Sequence, residues 1–235
     1  VLEQEEGINA FAAGYSPADA AVAVTRGTLE RLNRDELQGV IAHEFSHIIN
    51  GDMRLNIRLM GVLFGILVLG IIGQRVLLHS RMGGRDRNGS AVLVVALAVM
   101  IVGYVGLFFG RMIKAGISRQ REYLADASAV QFTRQTQGLA GALKKIAGLP
   151  SGSRLAAAET EEVSHMLFGD GVGYSALFAT HPPLLARIRA LDPQFDASAM
   201  QALERRWAQS APDGLQEDLV MGLASDSGAT RMPDP

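Results

Sequence analysis

The chain contains two long apolar stretches separated by a short polar segment. Ala91 to Gly110 are twenty consecutive residues without a charge, Asn, Gln, Ser or Thr, and a second run, Leu59 to Gly73, continues past Arg75 to Leu78. A helix of about 20 residues, rising about 1.5 Å per residue, crosses a hydrocarbon core of about 30 Å. We therefore predict a transmembrane helical hairpin over residues 59–110. A buried core helix is the alternative for the longer run, and a re-entrant or buried segment is the alternative for the shorter one.

Basic residues are distributed unevenly around this hairpin. Six lie beyond its two outer ends and four lie near the Gly- and Arg-rich connection at 79–90. The positive-inside tendency places the larger set in the cytoplasm. We therefore expect a multi-pass protein of the cytoplasmic membrane, in contact with the lipid bilayer, with its active site facing the cytoplasm. The six are Arg54, Arg58, Arg111, Lys114, Arg119 and Arg121, and the four are Arg75, Arg81, Arg85 and Arg87.

Shorter patterns precede the hairpin. Asn9 to Ala12 and Ala20 to Arg26 have the composition of short strands. Asn33, with Glu36 three residues on, forms a capping-box pattern that opens an amphipathic helix through Ile48. The segment before the hairpin is therefore predicted to contain a small β element and one amphipathic helix.

The pattern after the hairpin is helical as well. Residues 120–149 have helical spacing, and Pro182 and Pro183 start a helix that ends near Leu191. The predicted fold class is mainly α with a small β element. The predicted organisation is residues 1–58 as the N-terminal part of a soluble domain, 59–110 as the transmembrane hairpin, 111–195 as the C-terminal part of the same domain and 196–235 as a flexible tail.

Composition excludes several kinds of site. The 22 Lys and Arg residues against 24 Asp and Glu residues leave a net charge of −2, which gives no overall attraction for phosphates, so we expect no nucleic-acid partner. With no cysteine there is no disulfide, no thiolate nucleophile and no cysteine-bound metal. Any metal site must therefore use histidine and carboxylate ligands.

The helix predicted from Asn33 contains the pattern His-Glu-x-x-His. His43 and His47 are four residues apart, so they lie about one turn from each other on one helical face and can both bind a single zinc ion. Zinc lowers the pKa of a bound water molecule toward about 7, and Glu44 is placed to take the proton from that water. The resulting hydroxide would attack a peptide carbonyl. The alternative is a helix with two solvated histidines.

A hydrolytic zinc site needs a third protein ligand. Glu122 is the preferred candidate, because His79 lies in the connection across the membrane and His165 is most simply a surface residue after an acidic stretch. Asp126 lies one turn after Glu122, where it can orient a ligand histidine. The alternative is a surface ion-pair cluster formed by Arg119, Arg121, Glu122 and Asp126.

The geometry of the hairpin favours Glu122 as a ligand. His47 lies twelve residues before Leu59, and Glu122 lies twelve residues after Gly110. If both helices continue past the membrane, each position stands about 18 Å above the same membrane edge. We therefore expect the two motifs to meet, unless a glycine bends one of the continuations.

Five segments, in order from about Val1 to Leu191, together resemble the HtpX-type membrane metalloproteases, whose relatives include the CAAX prenyl endoproteases. The resemblance implies a zincin-like metalloprotease domain of the gluzincin type, interrupted by a transmembrane helical hairpin, with one zinc ion per chain. The segments are NAFA at 9–12, HEFSH followed by NGD within 43–52, the apolar hairpin, SRQREYLADASAV at 118–130, and THPP at 180–183 with Arg187 and Ile188.

The resemblance implies a role for each matching residue of the metal site. The zinc ligands would be His43, His47 and Glu122. Glu44 would be the catalytic general base, and Asp126 would support a ligand histidine from outside the metal's own ligand set.

Residues of the substrate cleft are implied in the same way. The stretch from Asn9 to Ala12, with Asn9 and Ala10 as the leading candidates, would lie along the cleft and pair with an extended substrate backbone, and His181 and Arg187 would lie near the oxyanion. Each has a structural alternative. Asn9 could be an ordinary strand residue, His181 could cap the helix that follows it, and Arg187 could hold a carboxylate such as Asp126.

These expectations combine into one function. We expect a membrane-embedded zinc-dependent endopeptidase that hydrolyses polypeptides, mainly membrane proteins, in membrane protein quality control. A catalytically silent metal-binding scaffold or adaptor is the main alternative, and a membrane anchor with fortuitous histidines is another. Members of the resembled family usually have further membrane helices upstream, so the resemblance predicts that the chain beginning at Val1 is a fragment. The tail after Leu191 has no counterpart in the resemblance.

Overall fold

The computed structural model describes residues 1–80, 89–150, 152–153, 168 and 179–224. Within this part the chain forms a two-stranded sheet and eight helices, which confirms a mainly α fold with a small β element. In chain order the elements are β1 Ala10–Ala13, β2 Ala21–Val24, α1 Arg26–Arg31, α2 Arg34–Asn50, α3 Asp52–Ser80, α4 Gly89–Thr133, α5 Gln137–Gly148, α6 Leu184–Leu191, α7 Ala197–Gln209 and α8 Gly214–Val220.

The sheet lies where the two short strands are predicted. β1 and β2 pair antiparallel, with Ala10 opposite Val24 and Ala13 opposite Ala21. Thr25 follows β2 directly and caps α1, because its side chain accepts a hydrogen bond from the backbone N–H of Thr28 in the first turn of that helix. β1 also contacts α2, so the sheet is placed beside the helix that carries the two histidines.

The ends of α2 are defined by local sequence. The Asn33 side chain accepts from the Glu36 backbone N–H, and the Glu36 carboxylate accepts from the Asn33 N–H, both at 3.0 Å, which confirms the predicted capping box. The helix ends at Gly51, whose φ of 69° lies in the left-handed region that glycine adopts without strain. Between these ends Val40 belongs to the same buried apolar cluster as Leu139 of α5. The core therefore holds α2 from one side.

α3 and α4 contain the two apolar stretches and pack against each other antiparallel. Gly70 lies against Gly103, and a Cβ on Gly73 would come within 2.6 Å of the backbone N of Met100, so the two helices approach closely. In their most apolar windows only 6% and 17% of the residues are buried, so this apolar surface is not the core of a soluble protein. Both helices are long and apolar enough to cross a membrane. The middle of the predicted connection, 81–88, lies outside the described residues.

α4 carries its apolar stretch and the Glu122 motif on one continuous helix. It runs from Gly89 to Thr133 without interruption past Gly110. The helical spacing predicted for 120–149 is divided, however, because the chain turns at Arg134, whose φ is 57°, before α5 begins.

Residues 197–220 contain two helices within the range 196–235 that is predicted to be a flexible tail, and residues 225–235 lie outside the described part. These helices, α7 and α8, both pack on the domain. A Cβ on Gly148 of α5 would lie 2.6 Å from the Trp207 ring of α7, and Glu217 of α8 accepts a 2.6 Å bond from the Lys145 ammonium. The sequence after 211 shows little hydrophobic periodicity and so does not predict α8, because α8 is short and is positioned by polar contacts.

Candidate metal centre and active site

Three potential metal ligands converge between α2 and α4. The donor atoms of His43, His47 and Glu122 all lie within 4.8 Å of one another. The two Nε2 atoms are 3.1 Å apart, and the Glu122 carboxylate oxygens lie 3.6 Å from Nε2 of His43 and 3.5 Å from Nε2 of His47. Two imidazoles and one carboxylate form a donor set suited to a divalent transition metal. The structure therefore brings together the three residues that the sequence analysis selected as ligands.

Glu44 lies buried beside this cluster. It is 1% exposed, and among the residues that the structure describes no side chain donates a hydrogen bond to its carboxylate. Burial raises the pKa of Glu44 to about 7. Burying an ionised carboxylate costs free energy unless a positive charge faces it. The position of Glu44 beside the three potential ligands therefore fits a site that holds a metal cation.

Asp126 and Arg187 form the support behind His43. The Asp126 Oδ1 atom lies 2.9 Å from Nδ1 of His43, and Arg187 donates to both carboxylate oxygens of Asp126 at 2.9 and 2.7 Å. A carboxylate on Nδ1 leaves the Nε2 lone pair of His43 directed at the metal position. Arg187 is fully buried, and its guanidinium is bound to Asp126. The structure therefore shows the arrangement in which Arg187 holds a carboxylate.

Burial and charge act in opposite directions on the pKa values of the cluster. Burial lowers the pKa of His43 to about 4, which favours the neutral ring that a metal needs. Burial alone would raise the pKa of Glu122, but attraction to His181 and Arg187 outweighs it and the pKa falls below its ordinary value. Attraction to Asp126 and Glu122 likewise outweighs burial for Arg187 and raises its pKa. At neutral pH the site therefore holds neutral His43 and ionised Glu122.

His181 lies against the third candidate ligand. Its Nδ1 atom is 3.1 Å from Oε2 of Glu122, and its side chain also lines the cavity in front of the cluster. The helix that follows, α6, begins at Leu184 after Pro183 and has no side-chain capping hydrogen bond. His181 therefore lies between Glu122 and the cavity.

Asn9 and Ala10 do not offer free backbone groups to a substrate. The Asn9 N–H donates to the hydroxyl oxygens of Thr25 and Thr28, and its side chain donates to the Ser153 carbonyl. Ala10 donates to the Asn9 side chain and accepts from the Phe168 N–H at 2.9 Å. The polar groups of both residues are therefore used within the fold, and their pairing with a substrate stays a prediction.

The part of β1 that faces the cleft lies further along the strand. Ala12, and Gly14 after it, line a cavity of about 310 Å³ with Glu44. The cavity extends from the metal cluster to Met60 of α3 and Ile117 of α4. The cleft therefore connects the candidate catalytic residues with the beginning of the apolar helix pair.

Sequence reasoning gave no role to Phe168. Its ring packs edge-on against the His43 imidazole, with centroids 4.8 Å apart, and its carbonyl accepts from Arg187 at 3.2 Å. A lone phenylalanine in a segment without periodicity carries no signal for such a contact. His165, three residues earlier, lies outside the described residues.

Two further neighbours of the cluster were also given no role. The Asp52 Oδ2 atom lies 2.7 Å from Nδ1 of His47, and Arg121 forms an ion pair with Asp52. In the sequence Asp52 belongs to the NGD segment, and Arg121 is one of the basic residues beyond the end of the hairpin. A carboxylate only five residues after a ligand histidine is a signal that the sequence offers. Whether Asp52 contacts His47, however, depends on the turn between α2 and α3.

The chain is similar to several bacterial proteins named Protease HtpX homolog. It is 39% identical to the one from Bacteroides fragilis, over 80% of this chain and 60% of the relative. It is 40% identical to the one from Caldanaerobacter subterraneus, over 78% and 61%, and 42% identical to the one from Ligilactobacillus salivarius, over 78% and 63%. The chain thus spans about 60% of the length of these relatives. No solved structure matches it.

These relatives confirm the resemblance drawn from the five segments. The family comparison covers most of the described domain, including α2 with its two histidines, α4 with Glu122, and α6. The sequence model of peptidase family M48 matches residues 1–194, and the chain belongs to that family.

Proposed function

We propose that this chain is a membrane-embedded zinc-dependent endopeptidase that hydrolyses peptide bonds. The observation that carries the proposal is the convergence of His43, His47 and Glu122 beside the buried carboxylate of Glu44. Membership of family M48 and the printed names of the relatives, which are proteases, support it. The ligand and catalytic roles given below are part of the proposal.

Zinc is the metal that we assign to the three ligands. Two histidine nitrogens and one carboxylate oxygen are a protein ligand set that hydrolytic zinc sites use, and His43, His47 and Glu122 would hold the ion. When bound, the metal would supply the positive charge that acidifies a water molecule and polarises a peptide carbonyl. That charge would also balance the ionised form of Glu44, whose pKa burial raises to about 7.

The chain's own residues carry out the proton transfers. Glu44 takes a proton from the attacking water and gives it to the departing amine of the cleaved peptide bond. A pKa near neutrality suits both steps, because the same group must accept and then release a proton. His181, at the wall of the cavity, donates a hydrogen bond to the developing oxyanion, and Arg187 acts through Asp126 instead of touching the substrate.

The substrate is proposed to be an extended polypeptide, mainly from membrane proteins, as in membrane protein quality control. It would lie along the cavity beside Ala12, between the cluster and the start of α3. Main-chain pairing at a strand edge does not read side chains, which suits a broad choice of substrates.

The membrane placement is proposed together with the function. The exposed apolar surfaces of α3 and α4 fit a lipid environment, in which they form the hairpin that interrupts the protease domain. The count of basic residues at its ends favours a cytoplasmic active site and a multi-pass protein. A surface accessibility assay on intact cells, with single cysteines placed near Glu122 and in the 81–88 connection, tests this orientation.

Glu44→Gln is the substitution that tests the proposed enzyme. In detergent, the purified wild type and Glu44→Gln should each bind about one zinc ion per chain. Cleavage of casein, or self-cleavage, should be lower by a factor of at least about 100 in Glu44→Gln than in the wild type. His43→Ala should lose the metal as well. A catalytically silent scaffold would show equal and negligible cleavage in wild type and Glu44→Gln, while a membrane anchor with fortuitous histidines would bind no zinc.

A further inference from the structure

We propose that Asp52 is a positioning residue for His47 and that Arg121 holds Asp52 in place. This inference rests on the proposed function in one respect, that His47 is a metal ligand. Nothing in the family resemblance assigns a role to either residue. The alternative is an ordinary ion pair that joins α3 to α4.

The contacts of His47 show what Asp52 does to the ring. Nδ1 of His47 lies 2.7 Å from Oδ2 of Asp52, and Nε2 faces His43 at 3.1 Å and Glu122 at 3.5 Å. A neutral imidazole carries its proton on one nitrogen only. With that proton on Nδ1 and donated to Asp52, the lone pair of Nε2 is directed at the metal position. Asp52 therefore selects the tautomer and the ring orientation that bind metal.

The backbone between the two residues is arranged for this contact. In a continuous helix a residue five positions after His47 would lie about 140° around the axis and face elsewhere. Gly51 interrupts the helix with a φ of 69°, and its N–H bonds to the His47 and Ile48 carbonyls. α3 starts with Asp52 immediately after this turn. The turn brings Asp52 back to the last histidine of α2.

Arg121 links this pair to the third candidate ligand. Its guanidinium forms an ion pair with Oδ1 of Asp52 and donates to the Asn50 carbonyl at 3.0 Å. It directly precedes Glu122 on α4. The side chain therefore ties the end of α2 and the start of α3 to the turn of α4 that carries Glu122.

The arrangement behind the other histidine has the same three parts. His43 Nδ1 meets Asp126 at 2.9 Å, and Arg187 donates to both oxygens of Asp126. In each case a guanidinium fixes a carboxylate, and the carboxylate fixes the Nδ1 side of a histidine whose Nε2 points into the cluster. The repetition of this arrangement from different elements, α6 in one case and α4 in the other, argues for a role at the metal and against a chance ion pair.

The test compares zinc affinity of the full chain in detergent, by competition with a chromophoric chelator. We expect Asp52→Ala to bind zinc about 10- to 100-fold more weakly. Asp52→Asn should lose less, because its amide oxygen still accepts from Nδ1, and Arg121→Met should lose less than Asp52→Ala. The matched control is Asp192→Asn, which breaks the 2.8 Å ion pair with Lys144 away from the site and should leave zinc affinity unchanged.

The absorption spectrum of Co²⁺ bound in place of zinc distinguishes a positioning role from a merely structural one, because it depends on how the ligands are oriented. The visible absorption of Co²⁺ in the site should shift in Asp52→Ala, because His47 loses the acceptor that orients it. The shift should be smaller in Asp52→Asn, which keeps an acceptor oxygen, and the Asp192→Asn control should absorb as the wild type does. Circular dichroism verifies that each variant is folded, and Asp52→Asn and Arg121→Met keep the test possible if Asp52→Ala does not fold.

The results separate this inference from the proposed function. Asp52 variants that melt earlier but bind zinc and cobalt as the wild type does would show an ion pair only and overturn the positioning role. Wild-type protein that binds zinc but cleaves no peptide would instead overturn the endopeptidase, while a zinc affinity that depends on Asp52 would still establish the positioning role.

Discussion

The buried carboxylate of Glu44 makes the stability of the metal-free protein depend on pH in a calculable way. Burial raises its pKa from 4.5 to about 7, so the folded protein binds this proton more tightly than the unfolded chain does. The stability that Glu44 contributes is therefore complete below pH 4.5 and is lost as the pH rises to about 7. At about 1.4 kcal/mol per pKa unit, the loss is about 3 kcal/mol.

Glu44→Gln removes this loss, because glutamine does not ionise. After chelation of metal, the variant should become more stable than the wild type as the pH is raised from 5 to 8.5, by about 3 kcal/mol. For a chain of this size that corresponds to about 6 to 12 °C in melting temperature. The measurement is the melting temperature of both proteins in detergent across this pH range, with Glu204→Gln, at an exposed position on α7, as control.

Zinc provides the second arm of this experiment. Because a bound cation favours the ionised form of Glu44, loading with zinc should reduce the pH-dependent difference between wild type and variant. A difference in melting temperature that stays constant from pH 5 to 8.5 in the metal-free proteins would refute the reasoning, since it would mean that Glu44 ionises in the fold as easily as in water.

Two other predictions concern packing and charge away from the reacting atoms. Arg187→Met should lower the stability of the metal-free protein by about 3 to 5 kcal/mol, because it leaves two buried carboxylates without their counter-charge; an unchanged melting temperature would contradict this. Gly103→Leu should lower it by about 1 to 3 kcal/mol, because a Cβ there overlaps the backbone of Gly70 and the helices would have to separate. Gly61→Leu is the matched control, since a Cβ there meets nothing within 4 Å, and equal melting temperatures for the two leucine variants would argue against the close helix pair.

Local sequence determined the elements of this protein. The capping box at Asn33 predicts the start of α2, because a side chain and a backbone N–H three residues apart satisfy each other without help from the rest of the chain. The spacing of His43 and His47 predicts that they share a face, because the helical repeat alone places them there. The two apolar stretches predict two long helices, since their length and lack of polar side chains are properties of the segments themselves.

Contacts between distant segments decided the surroundings of the site. Phe168 meets His43, and Arg187 meets Asp126, through packing that no local periodicity encodes. The family resemblance implies that Asn9 lies along the cleft. In the fold Asn9 is buried, and its polar groups bond to Thr25, Thr28 and Ser153, since a buried amide must find partners wherever the fold provides them.

α8 and the contact between Asp52 and His47 also depend on the tertiary structure. α8 is stabilised by Glu217 accepting from Lys145, a partner 72 residues earlier, so its own short sequence could not predict it. Asp52 lies only five residues from His47, but the left-handed turn at Gly51 decides whether the two touch. The sequence by itself determined which residues could bind a metal, through helical spacing and donor chemistry. Only the tertiary structure decided that Arg187 holds Asp126 and that Asp52 and Arg121 reach His47, because these contacts depend on how α2, α4 and α6 pack together and on the turn at Gly51.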